Sequence, residues 1–185
     1  IIKPLNLCIE ENNFNFFSLN NVKSTMDKAK SMINNVKNNF ILLAKKQTKG
    51  KGRRGSKWIS PFGNIYCSIV IHEDILINDF SKFGMLTSVA IKASLEHIGM
   101  REVFFKWPND VYFKNEKISG ILQELVINKI KKNVLIIGVG INFSSSPILN
   151  SYKTTYIYRH IQTFNVNEYF EIFINYFFYF FLKLK

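Results

Sequence analysis

One ten-residue run, Asn133–Asn142 (NVLIIGVGIN), limits the choice of fold more than any other stretch of the chain. It is too apolar for a surface loop, too short for a membrane span and too β-branched for a preferred helix, so it reads as a buried strand. Gly138 and Gly140 interrupt it. Glycine weakens a strand interior and marks a place where another backbone or a ligand comes close. Ile65–Ile71 (IYCSIVI) is a second strand of the same kind, and Phe40–Lys45 a third. Val103–Lys106 is a short strand. Val111–Phe113 and Ile118–Asn128 read as a hairpin turning at Asn115-Glu116.

Between these lie helical patterns. Ser24 is a candidate N-cap for a helix over Thr25–Lys37. Phe83, Leu86, Val89, Ala90, Ala93 and Ile98 fall at helical spacing, which predicts an amphipathic helix over Ser81–Ile98 stopped by Gly99. Asn167–Lys185 is helical in length and apolar nearly all round. It is short for a membrane span and opens with Glu168 and Glu171, which favours a buried or partner-packed helix over an anchor. Helices mixed with hairpins predict an α+β fold with a mixed, largely antiparallel sheet flanked by helices. At 185 residues, with no internal repeat and no Pro/Gly/Ser linker, a single domain is expected.

The formal net charge is +12. That balance is compatible with nucleic acid, an anionic cofactor, an acidic protein partner or a solvated lysine-rich surface. Asn, Lys, Ile and Phe are used heavily together, as an AT-rich genome would dictate, so the bulk charge is weak evidence. Cys8 and Cys67 lack the spacing of a disulfide framework or a metal site and read as buried thiols of a reducing compartment. No signal-peptide pattern is visible at the start. A cytoplasmic location is the default expectation, and a plastid or mitochondrion is compatible with it.

The sharp basic feature is Gly50-Lys51-Gly52-Arg53-Arg54-Gly55, followed by Ser56-Lys57-Trp58. Glycines alternating with cations let phosphate oxygens approach backbone amides while guanidinium forks pair with them. The order Ser56-Lys57 reverses that of a P-loop, and Trp58-Ile59-Ser60-Pro61 does not start a helix, so the P-loop reading is rejected. Lys106-Trp107-Pro108-Asn109-Asp110 forms a strand end and a turn. There Asp110 either caps backbone or points into a cleft. In Lys117-Ile118-Ser119-Gly120-Ile121-Leu122, Gly120 inside an apolar strand again implies close approach.

Taken together, QTKGKGRRGSKW, FKWPNDVYFKNEKISGILQEL and IIGVGINF, with Ser24-Thr25 ahead of them, resemble the biotin–protein ligases. In that family the pattern is close to GRGRRGRKW, KWPND with KxxGIL, and GxGIN. The resemblance runs from about Val22 to Phe143, in the family's order and near its spacing. It implies a sheet like that of the class II aminoacyl-tRNA synthetases and biotin synthetases. It implies ATP-dependent conversion of biotin to biotinyl-5′-AMP, then transfer to a lysine of a biotin carboxyl carrier domain of a carboxylase. It implies ATP and Mg²⁺, no specific nucleic acid and no membrane, and it is compatible with a homodimer.

The residue roles implied by the resemblance are as follows. Arg53 and Lys117 bridge the biotin carboxylate and the α-phosphate. Ser24, Thr25 and Gln47 contact the ureido ring, with Gly50, Lys51, Trp58 and Gly120 completing the biotin site. Gly52, Arg54, Gly55, Lys106, Asn109 and Asn142 fall on the adenylate side with Arg53. Asp110 positions or deprotonates the acceptor lysine, or joins Asn142 in holding Mg²⁺. Lys51 departs from the family's usual arginine. No helix-turn-helix domain is expected ahead of the catalytic part, and the small β-barrel that usually follows it is expected to be absent or truncated. A lipoate ligase or an octanoyl or lipoyl transferase is the nearest alternative. A nucleic-acid-binding module or an inactive remnant belongs to another class.

Overall fold

The computed structural model describes residues 2–73, 76 and 79–184. Among them, seven strands form one sheet: β1 (Asn15–Leu19), β2 (Phe40–Ala44), β3 (Ile65–Ile71), β4 (Val103–Lys106), β5 (Asp110–Phe113), β6 (Glu116–Ile127) and β7 (Asn133–Ile141). Their spatial order is β1-β2-β3-β7-β6-β5-β4. Only β1 and β2 run parallel, and every other neighbouring pair is antiparallel. The expected α+β fold with a largely antiparallel sheet is the fold observed.

Four helices accompany the sheet: α1 (Leu5–Glu11), α2 (Thr25–Met32), α3 (Phe80–His97) and α4 (Val166–Leu184). The layering follows from the period of two along β7. Leu135, Ile137, Val139 and Ile141 share one face and join the large core built with α1, α3 and α4. Val134 and Ile136 share the other face and pack under α2 with Phe40, Leu42 and Val70. Further along this second face come Gly138 and Gly140. Apolar cover therefore ends where the glycines begin.

α3 buries Phe83, Leu86, Thr87, Ala90, Ile91, Ser94 and Leu95, one stripe at helical spacing. Gly99, at φ +100°, ends it as expected. α4 starts one residue earlier than predicted, and the expected last residue, Lys185, lies outside the described set. A capping box sets its start: Asn165 Oδ1 accepts from the amides of Asn167 and Glu168 at 2.9 and 3.0 Å, and Glu168 accepts from the Asn165 amide at 2.8 Å. Its Tyr169, Phe170, Phe173 and Phe177 are fully buried. The helix is thus a core element packed along α3, with the Tyr169 and Ser94 hydroxyls 2.8 Å apart. Among the described residues, no helix is long and apolar enough to cross a membrane.

Several boundaries differ from the sequence reading. α2 ends at Met32, not Lys37. Met32 O accepts from the amides of both Asn35 and Val36, and Asn34 leaves the helix to accept from the Lys129 amide at 3.0 Å. The β5–β6 turn is Lys114-Asn115, one residue earlier than expected, with Lys114 at φ +52°. α1 and β1 carry weak signals and were not anticipated. Cys8 and Cys67 are free and buried, as expected. Burial pushes the Cys8 thiol up to about 11, with the Glu11 charge adding to the effect, and pushes Cys67 higher still. Both stay protonated and unreactive at neutral pH.

Phe173→Ala is expected to lower unfolding free energy by ~3–5 kcal/mol, because it opens a void in the core that α4 shares with α1 and α3. Urea unfolding monitored by circular dichroism measures this, and a loss under about 1 kcal/mol would contradict the core role given to α4.

Candidate active site

The glycine-bearing face of the sheet floors a cavity of about 510 Å³. Gly120 and Gly140 are register partners across β6 and β7, and Leu122 pairs with Gly138. These glycines leave the floor flat. A Cβ on Gly140 would lie 2.4 Å from Trp58 Cε2, and one on Gly120 would lie 2.9 Å from Trp58 Cζ3. The Trp58 indole rests on this glycine pair. Met26 of α2 occupies the equivalent seat above Gly138.

The basic loop forms one wall. It is irregular, as predicted, but not unstructured. The Trp58 amide donates to Gly50 O at 3.0 Å, and the Gly52 amide donates to Ser56 O at 2.8 Å. Lys51 and Lys57 face each other in an isolated antiparallel bridge. The tip is a 3₁₀ turn over Arg53–Gly55, in which Arg54 (φ +52°) and Gly55 (φ +78°) reverse the chain. The loop is moored to the segment just ahead of α2 by amide bonds from Thr48 to Val22 O and from Lys49 to Lys23 O. Gly50 is needed for space, since a Cβ there would meet Trp58 O at 2.4 Å and Ser60 Oγ at 2.6 Å.

The cavity has a polar end. Gln47 Oε1 accepts from the Thr25 amide at 2.8 Å and from the Thr25 hydroxyl at 3.1 Å, while its Nε2 donates to Ser60 Oγ at 3.0 Å. Ser24 is turned to a different task. Its hydroxyl caps α2 by accepting from the Asp27 amide, and it does not line the cavity.

The opposite end is cationic. Lys117 is buried at the start of β6, and its ammonium lies 2.7 Å from Asp110 Oδ1. The same ammonium sits 5.5 Å from the Trp58 ring centroid and 5.2 Å from that of Tyr152. Arg53 reaches across to donate to Asn109 Oδ1 at 3.1 Å. Asn109 is itself locked to β6: its Nδ2 donates to Ile121 O at 2.7 Å, and its carbonyl accepts from the Ile121 amide at 2.9 Å. Lys51 is paired with Asp27 at 2.5 Å. Lys51, Arg53, Arg54, Lys57 and Lys117 all line the cavity, against Asp110 as the one acidic lining residue. An anion is the ligand this wall favours.

A second, smaller cavity of about 30 Å³ lies behind, lined by Asn142 and sharing Lys57, Trp58, Lys117 and Tyr152 with the first. Asn142 donates to Thr155 O at 3.0 Å, and its Oδ1 is buried without a protein donor. Trp58 Nε1 is buried without an acceptor. The wall between the cavities therefore carries one free donor and one free acceptor.

The structure brings together Thr25, Gln47, Lys51, Gly52, Arg53, Arg54, Trp58, Asn109, Asp110, Lys117 and Gly120 around the main cavity. It does not bring Ser24, Gly50, Gly55, Lys106 or Asn142 to that surface. Lys106 is exposed, with its ammonium 5.2 Å from the centroid of the Tyr112 ring. Asp110 and Asn142 line different cavities. No group of three His, Cys, Asp or Glu side chains is gathered among the described residues. The pair expected to hold Mg²⁺ is thus divided between two adjoining cavities.

The sequence reading missed Tyr152, Met26 and Asn64. Asn64 Oδ1 accepts from three successive amides, those of Phe143, Ser144 and Ser145, at 2.8–3.1 Å, and so anchors the segment after β7. An Asn directly after Pro-Phe-Gly was a usable turn signal. Tyr152 lies where no pattern is legible.

Residues 17–142, well over half the chain, match the model of the biotin/lipoate A/B protein ligase family. The chain belongs to this family. It is 32% identical over 115 residues to the bifunctional ligase/repressor BirA of Bacillus subtilis, covering 62% of this chain and 35% of the relative. It is 30% identical over 111 residues to the biotin–[acetyl-CoA-carboxylase] ligase of Paracoccus denitrificans, covering 57% and 45%. The chain therefore spans less than half the length of these curated family members. Among solved structures, the biotin protein ligase of Aquifex aeolicus in complex with biotin and ATP superposes with a TM-score of 0.79. The identity is 30%, over 92% of this chain and 72% of that one. The Leishmania major biotin protein ligase in complex with biotinyl-5-AMP gives 0.75 at 26% identity, over 89% and 73%. The fold is that of the family's biotin protein ligase catalytic domains.

Gly140→Ala is expected to lift the Trp58 indole from its seat. In a Trp107→Phe background, which leaves Trp58 as the single fluorophore of its kind, emission should shift to the red. An emission maximum equal to that of the parent would show that Gly140 does not seat the indole.

Proposed function

We propose that the chain activates biotin with ATP and transfers it to a lysine on a carrier domain of a biotin-dependent carboxylase. The observation that carries this reading is the pairing of a polar end, Thr25 and Gln47, with a cationic end, Arg53 and Lys117, across one glycine-floored cavity. Biotin has the matching polarity: a ureido ring, an apolar chain and a carboxylate.

The chemistry brings two anions together. The biotin carboxylate attacks the α-phosphorus of ATP, a P–O bond to the acyl oxygen forms, and pyrophosphate leaves as the α–β bridge breaks. Little covalent assistance is required, and fixed positive charge is the main demand. Lys117 and Arg53 supply it. Lys117 is held at a strand start and Arg53 on a loop tip, so Arg53 closes over the reacting atoms as the loop settles. Asn109 positions Arg53. Arg54 and the Gly52 backbone add phosphate contacts at the rim. Trp58 forms the apolar wall for the valeryl chain, and Gly120 lets that chain lie close to the sheet. Asn142, with its free Oδ1 facing the second cavity, falls on the nucleotide side of the site. Ser24 acts through α2, by fixing the helix start that carries Thr25.

In the second half-reaction the acceptor amine attacks the acyl carbon, AMP departs and one proton is lost. Asp110 is placed to orient the incoming ammonium or to take that proton once Lys117 turns from it to the substrate. Magnesium would arrive on the ATP phosphates, as it commonly does, with few protein ligands. Asp110 and Asn142 line adjoining cavities, and no step is assigned to the metal.

Biotin-dependent exchange of pyrophosphate into ATP tests this function. Exchange with biotin and none with lipoate supports it. Exchange with lipoate alone would move the chain to the other branch of the family, and retention of DNA in a salt-sensitive shift without any exchange would favour a nucleic-acid module. Lys117→Ala is expected to slow exchange ~10²-fold or more, since a charge fixed in a water-poor site has no ready substitute. Arg53→Ala is expected to weaken retention of the adenylate, releasing it to solvent. Its rate of adenylate release in a chase should exceed the parent's by at least ~10-fold. Parent-like behaviour of both variants would remove Arg53 and Lys117 from the mechanism.

A further inference from the structure

We infer that Tyr152 is a positioning residue for Lys117: its ring is the second wall of an aromatic cage that keeps the lysine ammonium aimed into the cavity. This rests on the proposal that Lys117 is the cation that meets the reacting anions.

Three observations carry it. The first is the cage itself. The Lys117 ammonium lies over two rings, Trp58 at 5.5 Å and Tyr152 at 5.2 Å, with Asp110 at 2.7 Å as its anionic partner among the described residues. The second is how Tyr152 is held. Its segment is bolted to the backbone of Lys117: the Lys117 amide donates to Lys153 O and the Thr155 amide donates to Lys117 O, both at 2.9 Å. The Thr154 hydroxyl closes the segment back on Pro147 O, and Asn142 Nδ2 holds Thr155 O at 3.0 Å. Ring and ammonium are thus registered by two short paths that meet at one residue. The third is location. Tyr152 lines both cavities, as Trp58 and Lys117 do, so its ring stands where the two join. Burial raises the Tyr152 hydroxyl above its usual value, and the charge of Asp110 raises it further. The ring therefore stays neutral beside the lysine.

A ring face suits this task better than a second carboxylate would. It attracts a cation through its quadrupole without cancelling its charge. When Lys117 leaves Asp110 for the substrate anions, the faces of Trp58 and Tyr152 remain, and the ammonium stays directed. A tyrosine that merely filled space would not affect the reactivity of the lysine in this way.

The test uses Tyr152→Leu, Tyr152→Phe and Tyr152→Trp in the full chain. Acetylation of Lys117 by limiting acetic anhydride, read by mass spectrometry against surface lysines, reports the cage without any substrate. The expected result is a ~3–10-fold rise in Lys117 acetylation for Tyr152→Leu, the range a lost cation–π contact gives, and parent-like protection for Phe and Trp. In the exchange assay, Tyr152→Leu should lose ~3–10-fold in kcat with the KM for biotin held within about twofold, and Phe should restore kcat. Unchanged Lys117 acetylation in Tyr152→Leu would overturn the inference. So would a Tyr152→Phe enzyme as impaired as Tyr152→Leu, which would assign the role to the hydroxyl. If the parent shows no biotin-dependent exchange, the functional reading fails, while the acetylation series still decides the cage.

Discussion

A lysine ammonium set largely buried in the cavity wall is the constraint around which this structure is arranged. Removing such a charge from solvent costs several kcal/mol, ~5 or more, unless partners replace the lost hydration. Lys117 has an ion pair to Asp110, two ring faces and a backbone clamped on both sides. Each partner belongs to a different part of the chain. Asp110 comes from the strand beside it, Trp58 from the basic loop and Tyr152 from the segment after β7. The seven-stranded sheet supplies the frame that brings these three together. The short β5, paired to the start of β6, sets Asp110 opposite Gly120 with Lys117 three residues away.

The glycines complete that frame by what they omit. Along one face of β7 the side chains run Val134, Ile136, then none at 138 and none at 140. The first two bury against α2, and the gap beyond them becomes the cavity. Trp58 fills part of the gap and leaves its indole N–H buried without an acceptor. A buried donor of that kind costs ~1–3 kcal/mol. The loop that carries Trp58 is anchored by only a few amide bonds, so the indole occupies a seat that it holds at a cost. A ligand group that accepts from this N–H would satisfy a buried donor.

The features legible in the sequence were those with a local cause. The apolar runs of β3 and β7, the glycine stop of α3 and the basic loop all declare themselves within ten residues, and they fell where expected. Asp110 and Lys117 could be named because a turn and a strand start are local events. Ser24 is a position where a local pattern fits two roles. A Ser before a helix satisfies both a cap and a ligand contact on paper, and only the geometry shows its oxygen committed to Asp27 N. Lys106 pairs in register with Asp110, yet its ammonium lies over the Tyr112 ring, a placement that local alternation does not encode. Tyr152 was out of reach. Its position depends on a long-range parallel bridge between Lys117 and Thr154, and no local pattern encodes a bridge of that kind.

The charge of +12 takes on a more limited meaning beside this site. Lys51, Arg53, Arg54 and Lys57 lie on an exposed loop, where screening over roughly 8 Å at physiological salt blunts their field. They draw an anion toward the cavity and hold it weakly. Lys117 is largely buried in the cavity wall, where screening is weaker than on the exposed loop, and its interaction with an anion keeps more of its strength. Salt should therefore act on capture far more than on the chemical step, and the two sets of cations divide the labour by burial alone. The remaining surface lysines are scattered and mostly solvated, so the location of a few cations, not their total, carries the functional information.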